Sequence, residues 1–164
     1  MLAFLSALTS VITTLVLPQP PVVDPVVDPP RAGAPVATAL ALAWPARGTL
    51  TDGFGPRWGR MHLGLDIGIL RSPNVTAAAA GVVTETGWLS GYEGYGQVVI
   101  VDLGGRYRTM YAHLSRIDVE PGTWIERGEE VGLAGCTGSC TGTHLHFEPH
   151  RGARPIDPMP FLAR

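Results

Sequence analysis

The stretch GQVVIVDLGGRYRTMYAHL, residues 96–114, sets the fold class. Two β-like runs, GQVVIVDL and RYRTMYAHL, meet across Gly104-Gly105, and both glycines accept the positive φ that a tight hairpin turn demands. No long segment of the chain shows the spacing of an amphipathic helix. Outward from this hairpin the same pattern recurs, short β-like runs separated by glycine. HLGLDIGI (62–69) alternates, parts of NVTAAAAGVVTETGW (74–88) alternate, and EEVGLAG and THLHFEPH supply two further strands. With 21 glycines and 15 prolines in 164 residues, the composition suits a turn-rich chain. The sequence predicts an all-β domain, mainly antiparallel sheet or sandwich, around one core.

The chain ahead of this domain reads differently. Residues 1–17, MLAFLSALTSVITTLVL, are apolar and uncharged. They are short for a bilayer span, which needs about 20 residues, and suit an export signal or an uncleaved N-terminal anchor. Residues 18–43 carry VVDP twice and recurrent proline, which excludes helix and central strand and predicts an extended or disordered linker. The folded domain is then expected over 44–164, as a monomer with a possible membrane tether at its N-terminus. Net charge is −2, and all 12 basic residues are scattered arginines, so no nucleic-acid partner is expected.

All five histidines, 62, 113, 144, 146 and 150, fall in the predicted domain. In THLHFE, alternation puts His144, His146 and Glu148 on one strand face and Leu145 and Phe147 on the other. In HLGLD, a straight strand would hold His62 and Asp66 about 13 Å apart. Joint ligation of one metal, at bond lengths near 2 Å, therefore requires the chain to bend, and Gly64 stands where it can. His113, in MYAHLS, falls by alternation with Thr109 and Tyr111. The run CTGSCTGTHLH leaves three readings open: a closed zinc site of Cys136, Cys140, His144 and His146, a small disulfide beside a strand, or part of an active site. The first has a histidine spacing unlike that of zinc fingers and leaves His62, Asp66 and His113 unexplained.

Taken together, HLGLD, YAHL and GTHLHFE, in that order, resemble the lysostaphin/LytM-type zinc metallopeptidases, which cut peptide bonds in bacterial cell-wall peptidoglycan. The flanks GFGPRWGRMHLGLDIG, VTAAAAGVV, GYGQVVIV, ERGEEVGLAGCTG and PIDPMPFL are similar too, so the resemblance runs over residues 44–162. It implies a β-domain of the duplicated hybrid motif type with an open groove and one Zn2+ per domain. The implied ligands are His62, Asp66 and His146, with His113 and His144 as catalytic residues. That division agrees with the rule that a catalytic zinc keeps three protein ligands and leaves one position for water. Glu148 is expected to support the ligands from behind, and His150, which has no counterpart in the pattern, is expected at the surface.

The function so implied is a zinc-dependent endopeptidase acting on peptidoglycan stem peptides or cross-links, secreted or tethered outside the cytoplasmic membrane. The alternative on the same fold is an inactive wall-binding module or an activator of another cell-wall hydrolase. In an exported chain, Cys136 and Cys140 are expected to bond to each other, Gly138 easing the turn between them. Trp58, Trp88, Tyr92 and Tyr95 are candidates to line the groove, and Arg57 and Arg60 to meet substrate carboxylates.

Overall fold

The structure, a computed structural model, describes residues 40–57 and 59–163. The apolar segment 1–17, linker residues 18–39 and Trp58 lie outside the described residues. In chain order the strands are β1 (Thr49–Asp52), β2 (Gly55–Arg57), β3 (Arg60–His62), β4 (Leu65–Gly68), β5 (Asn74–Thr76) and β6 (Gly81–Trp88). They continue with β7 (Gln97–Asp102), β8 (Tyr107–Ile117), β9 (Trp124–Ile125), β10 (Glu130–Ala134), β11 (Leu145–Arg151) and β12 (Arg154–Pro155). Short 3-10 turns lie at Glu93–Tyr95 and Met159–Phe161. Among the described residues there is no α-helix, and so none long and apolar enough to cross a membrane.

Ten strands form one sheet along the path β1-β4-β11-β8-β7-β6-β9, with β12 beside β11 and β10 joining β8 to β5. β2 and β3 make a separate hairpin, and all strand pairs are antiparallel. The 96–114 hairpin of the sequence reading is β7–β8, turning through Gly104 (φ 85°) and Gly105 (φ 65°). The all-β antiparallel fold expected from the sequence is the one that forms.

Alternation sorts the sheet into two faces. On one, Leu65, Ile67, Tyr111, Leu145 and Phe147 are fully buried and join Val75, Val131 and Leu162 in the main core. Each such side chain contributes about 1.5–3 kcal/mol by leaving water. Tyr111 packs on Phe147 with ring centroids 5.4 Å apart, and its buried hydroxyl accepts the N–H of Ala78 at 2.8 Å. Leu40 and Leu42 already belong to this core, and the Leu42 N–H donates to Phe161 O at 2.8 Å, so packed chain begins upstream of Trp44. The opposite face carries a smaller cluster of Val98, Ile100, Met110 and Ala112, and beside it a buried polar row of Asp66, His146, Glu148 and His150.

Two irregularities shape that polar face. HLGLDIGI, read as one alternating strand, is broken at Leu63-Gly64 into β3 and β4. Gly64 presses against β11, where an added Cβ would come within 2.8 Å of Glu148 Cγ and 3.0 Å of His146 Nε2. Glycine is therefore required there for close approach. The second is a β-bulge in β8. Gln97 faces Leu114 while Val99 faces Tyr111, so Ala112 and His113 together oppose Val98. His113 takes the left-handed φ of 59°, uncommon for a side-chain-bearing residue. The extra residue reverses the alternation. His113, expected with Thr109 and Tyr111, instead leaves their core face and lies beside His146, ring centroids 5.8 Å apart.

Candidate metal centre

His62 Nε2, Asp66 Oδ1 and His146 Nδ1 converge on one point. The separations are 3.2 Å between His62 and Asp66, 3.1 Å between His62 and His146, and 2.7 Å between His146 and Asp66. Asp66 and His146 are direct cross-strand partners in the β4–β11 register. His62, at the end of β3, reaches them because the chain breaks at Gly64.

The outer nitrogens decide which atoms face inward. His62 Nδ1 lies 2.6 Å from Gly53 O, and a carbonyl only accepts, so the proton sits on Nδ1 and the Nε2 lone pair points into the cluster. His146 Nε2 donates to Glu148 Oε1 at 2.8 Å, which leaves its Nδ1 lone pair inward. Three electron-pair donors thus meet with no proton of their own between them, a buried arrangement that calls for a cation. Two imidazoles and a carboxylate suit zinc, whose tetrahedral bonds of about 2.0–2.1 Å set ligand atoms roughly 3.4 Å apart. The donor set fits that metal.

Electrostatics agree. Burial pushes the Asp66 carboxyl up, but the pull of His146 close beside it, with His62 and His144, outweighs burial and holds the group below its usual value. Arg57 reaches Asp66 Oδ2 at 3.5 Å while also pairing with Asp52. Burial lowers the His146 imidazole, yet Asp66 and Glu148 together raise it above its ordinary value, so the pocket attracts positive charge.

Glu148, 1% exposed, accepts three hydrogen bonds: from His146 Nε2 and the Tyr95 hydroxyl, each at 2.8 Å, and from His150 Nε2 at 2.7 Å. Burial raises its carboxyl, but these bonds prevail and bring it to about 2. His150 is correspondingly buried, with Arg108 at 3.5 Å from its Nδ1. The surface position expected for His150 is wrong, and the signal against it was available: residues 146, 148 and 150 share one strand face.

His113 and His144 flank the trio, their ring centroids 4.7 Å apart. His113 Nδ1–H donates to Thr137 O and His144 Nδ1–H to Gly142 O, both at 2.7 Å, so each presents an Nε2 lone pair. His144 precedes β11 and is held in a single bridge with Gly135, its Nε2 3.7 Å from Asp66 Oδ1. Burial, aided by His144 and His146, keeps the His113 imidazole below its usual value against the pull of Thr137 O and Asp66. A neutral imidazole with a lone pair is the form that accepts a proton.

All five residues line a cleft of about 560 Å3, with Arg60 and Tyr95 also on its walls. Trp88 stands exposed, while Tyr92 packs with Tyr95 against the smaller cluster. Cys136 and Cys140 form a disulfide, Cα atoms 5.4 Å apart, which removes both from any metal.

The pattern of "Peptidase family M23" matches residues 60–158. The chain is 37% identical over 139 residues to a Pseudomonas aeruginosa "Lipoprotein NlpD/LppB homolog", covering 82% of this chain and 46% of that protein. It is 36% identical to lysostaphin of Staphylococcus simulans over 108 residues, 63% of this chain and 22% of lysostaphin. The catalytic domain of that antimicrobial peptidase superposes with a TM-score of 0.64 at 32% identity, over 70% of this chain and 91% of the domain. A zinc containing peptidase from Vibrio cholerae superposes with a TM-score of 0.63 at 31% identity, over 73% of this chain and 38% of that one. The chain spans less than half the length of these curated relatives.

Proposed function

We propose that this chain, which belongs to peptidase family M23, is a zinc-dependent endopeptidase hydrolysing peptide bonds in the stem peptides or cross-links of bacterial peptidoglycan. The observation that carries this reading is the convergence of His62 Nε2, Asp66 Oδ1 and His146 Nδ1, each with its lone pair inward, at the floor of an open cleft. Similarity to lysostaphin and to a zinc containing peptidase supports the substrate class and the metal. Similarity to a lipoprotein supports a place in the cell envelope, with residues 1–17 as export signal or anchor and the proline-rich run as linker ahead of the peptidase unit, to which Leu40 and Leu42 already belong.

His62, Asp66 and His146 would hold the zinc. Bound there, it supplies a Lewis acid that polarises a carbonyl and acidifies water, with one net positive charge left after the Asp66 carboxylate. The chain's own residues do the rest. His113 and His144 present Nε2 lone pairs to the cleft, so one of them takes the proton of the attacking water. The resulting N–H donates to the charge growing on the scissile carbonyl oxygen and then passes to the leaving amine. Glu148 keeps the His146 proton on Nε2 and thereby keeps Nδ1 available to the metal.

A second reading, a wall-binding module or activator without turnover, draws on the widest of these likenesses, which is to a protein named as a lipoprotein. Purified peptidoglycan separates the two. The full chain is expected to release soluble peptides, to stop when a chelator removes the metal, and to resume when zinc is restored. Binding to the wall with no peptide released, zinc supplied, would select the second reading.

A further inference from the structure

Cys136 and Cys140 take no part in the chemistry above, yet the loop they close is bonded to everything around it. Inside that ring Thr137 offers its carbonyl to His113 Nδ1–H at 2.7 Å. Its hydroxyl accepts the Gln97 N–H at 3.0 Å and donates to Leu114 O at 2.9 Å. The Ser139 N–H donates to Gly94 O at 2.8 Å. Gly138, at φ 71°, sits so close to the neighbouring turn that a Cβ would come within 2.6 Å of Gly94 O and 2.8 Å of Gly96 Cα. Just past the ring, Gly142 O accepts His144 Nδ1–H at 2.7 Å, with Cys140 Sγ 3.4 Å from the same carbonyl. The His144 N–H closes the segment onto Gly135 O at 3.0 Å.

One short loop thus supplies both carbonyls that orient the two flanking imidazoles. Its sequence, CTGSCTGT, is rich in glycine, serine and threonine, a composition with many backbone conformations open to it, and a cross-link narrows the range that the surrounding hydrogen bonds must hold. We propose that the Cys136–Cys140 disulfide is a positioning device, holding Thr137 O and Gly142 O where they keep the ring protons of His113 and His144 on Nδ1 and both Nε2 lone pairs in the cleft. Its kinetic consequence rests on the endopeptidase reading; its structural consequence does not. Opening it with a phosphine consumes one water, gives the phosphine oxide, and leaves two thiols.

The test labels the histidine nitrogens of the full, zinc-loaded chain and reads each ring's tautomer from two-bond 1H–15N correlations. In the oxidised protein, His113 and His144 are expected as Nδ1–H tautomers. After phosphine, and in a Cys136→Ser/Cys140→Ser variant, both are expected to become mixtures, while His62, His146 and the zinc content stay unchanged. Turnover of peptidoglycan should fall at least about tenfold with KM little altered, as for other small misplacements of catalytic groups. Tautomers that stay pure after reduction overturn the proposal whatever the activity, and in a protein that does release peptides so does unchanged turnover beside mixed tautomers. If the variant does not fold, the reduced wild-type protein gives the same readings. Tautomers that respond as expected in a protein that never releases peptides uphold the positioning role and sink the endopeptidase reading instead.

Discussion

Asp66 and His146 face each other across the regular β4–β11 ladder, and His62 joins them from a strand end, its ring proton held by Gly53 O. His113 and His144 share the same cleft but are built from departures from regularity, a bulge at φ 59° and a single bridge at a strand entry. Their ring protons are held by two carbonyls, Thr137 O inside the disulfide ring and Gly142 O just past it. The contrast has a physical reason. Ligand atoms for one ion must keep their spacing to about tenths of an ångström, and strand register delivers that for Asp66 and His146. Imidazoles that pass protons must turn their lone pairs toward the opening, and the regular alternation of β8 would have buried His113 in the core.

Several substitutions can break or sharpen this contrast. His62→Ala and His146→Ala are expected to empty the site, taking bound zinc from one per chain to near none and peptide release with it, as measured by elemental analysis of the purified variants. His113→Ala and His144→Ala should keep the zinc and lose about 10²- to 10⁴-fold in turnover. A His144 variant as zinc-poor as the His146 one would erase the division between the two sets. Glu148→Gln removes the charge behind His146, and zinc affinity measured against a competing chelator should weaken about 10- to 100-fold.

Smaller effects probe the backbone. Gly64→Ala forces a methyl against Glu148 Cγ and His146 Nε2 and should cost about 1–3 kcal/mol in denaturant unfolding. Wild-type stability in that variant would mean that the close approach of β3–β4 to β11 does not hold the ligands. Last, His113→Gly should be more stable than His113→Ala by about 1 kcal/mol, because only glycine is at ease at φ 59°. Equal stabilities would remove the bulge as a site of strain.

Gly104-Gly105 between alternating runs announced the β7–β8 hairpin, and glycine-punctuated short runs announced the all-β class, because both are local properties of the backbone. The likeness to the metallopeptidases rested on short runs whose order survives in any one sequence. His150 was legible and missed, since it lies two residues from Glu148 on the same face.

Other features were beyond reach of the chain alone. A period of two cannot foresee that Val98 would accept two partners and carry His113 to the other face. It cannot say that Gly64 is wanted for the nearness of His146 and Glu148, more than eighty positions away. Nor can it tell which imidazole nitrogen faces the metal, which depends on where the carbonyls of Gly53, Thr137 and Gly142 and the carboxylate of Glu148 come to rest. The sequence by itself determined the all-β antiparallel class, the β7–β8 hairpin and the residue types available for a metal. Tertiary structure alone decided their lone pairs, because a ring proton goes to whichever nitrogen finds an acceptor, and these acceptors arrive from elsewhere in the fold.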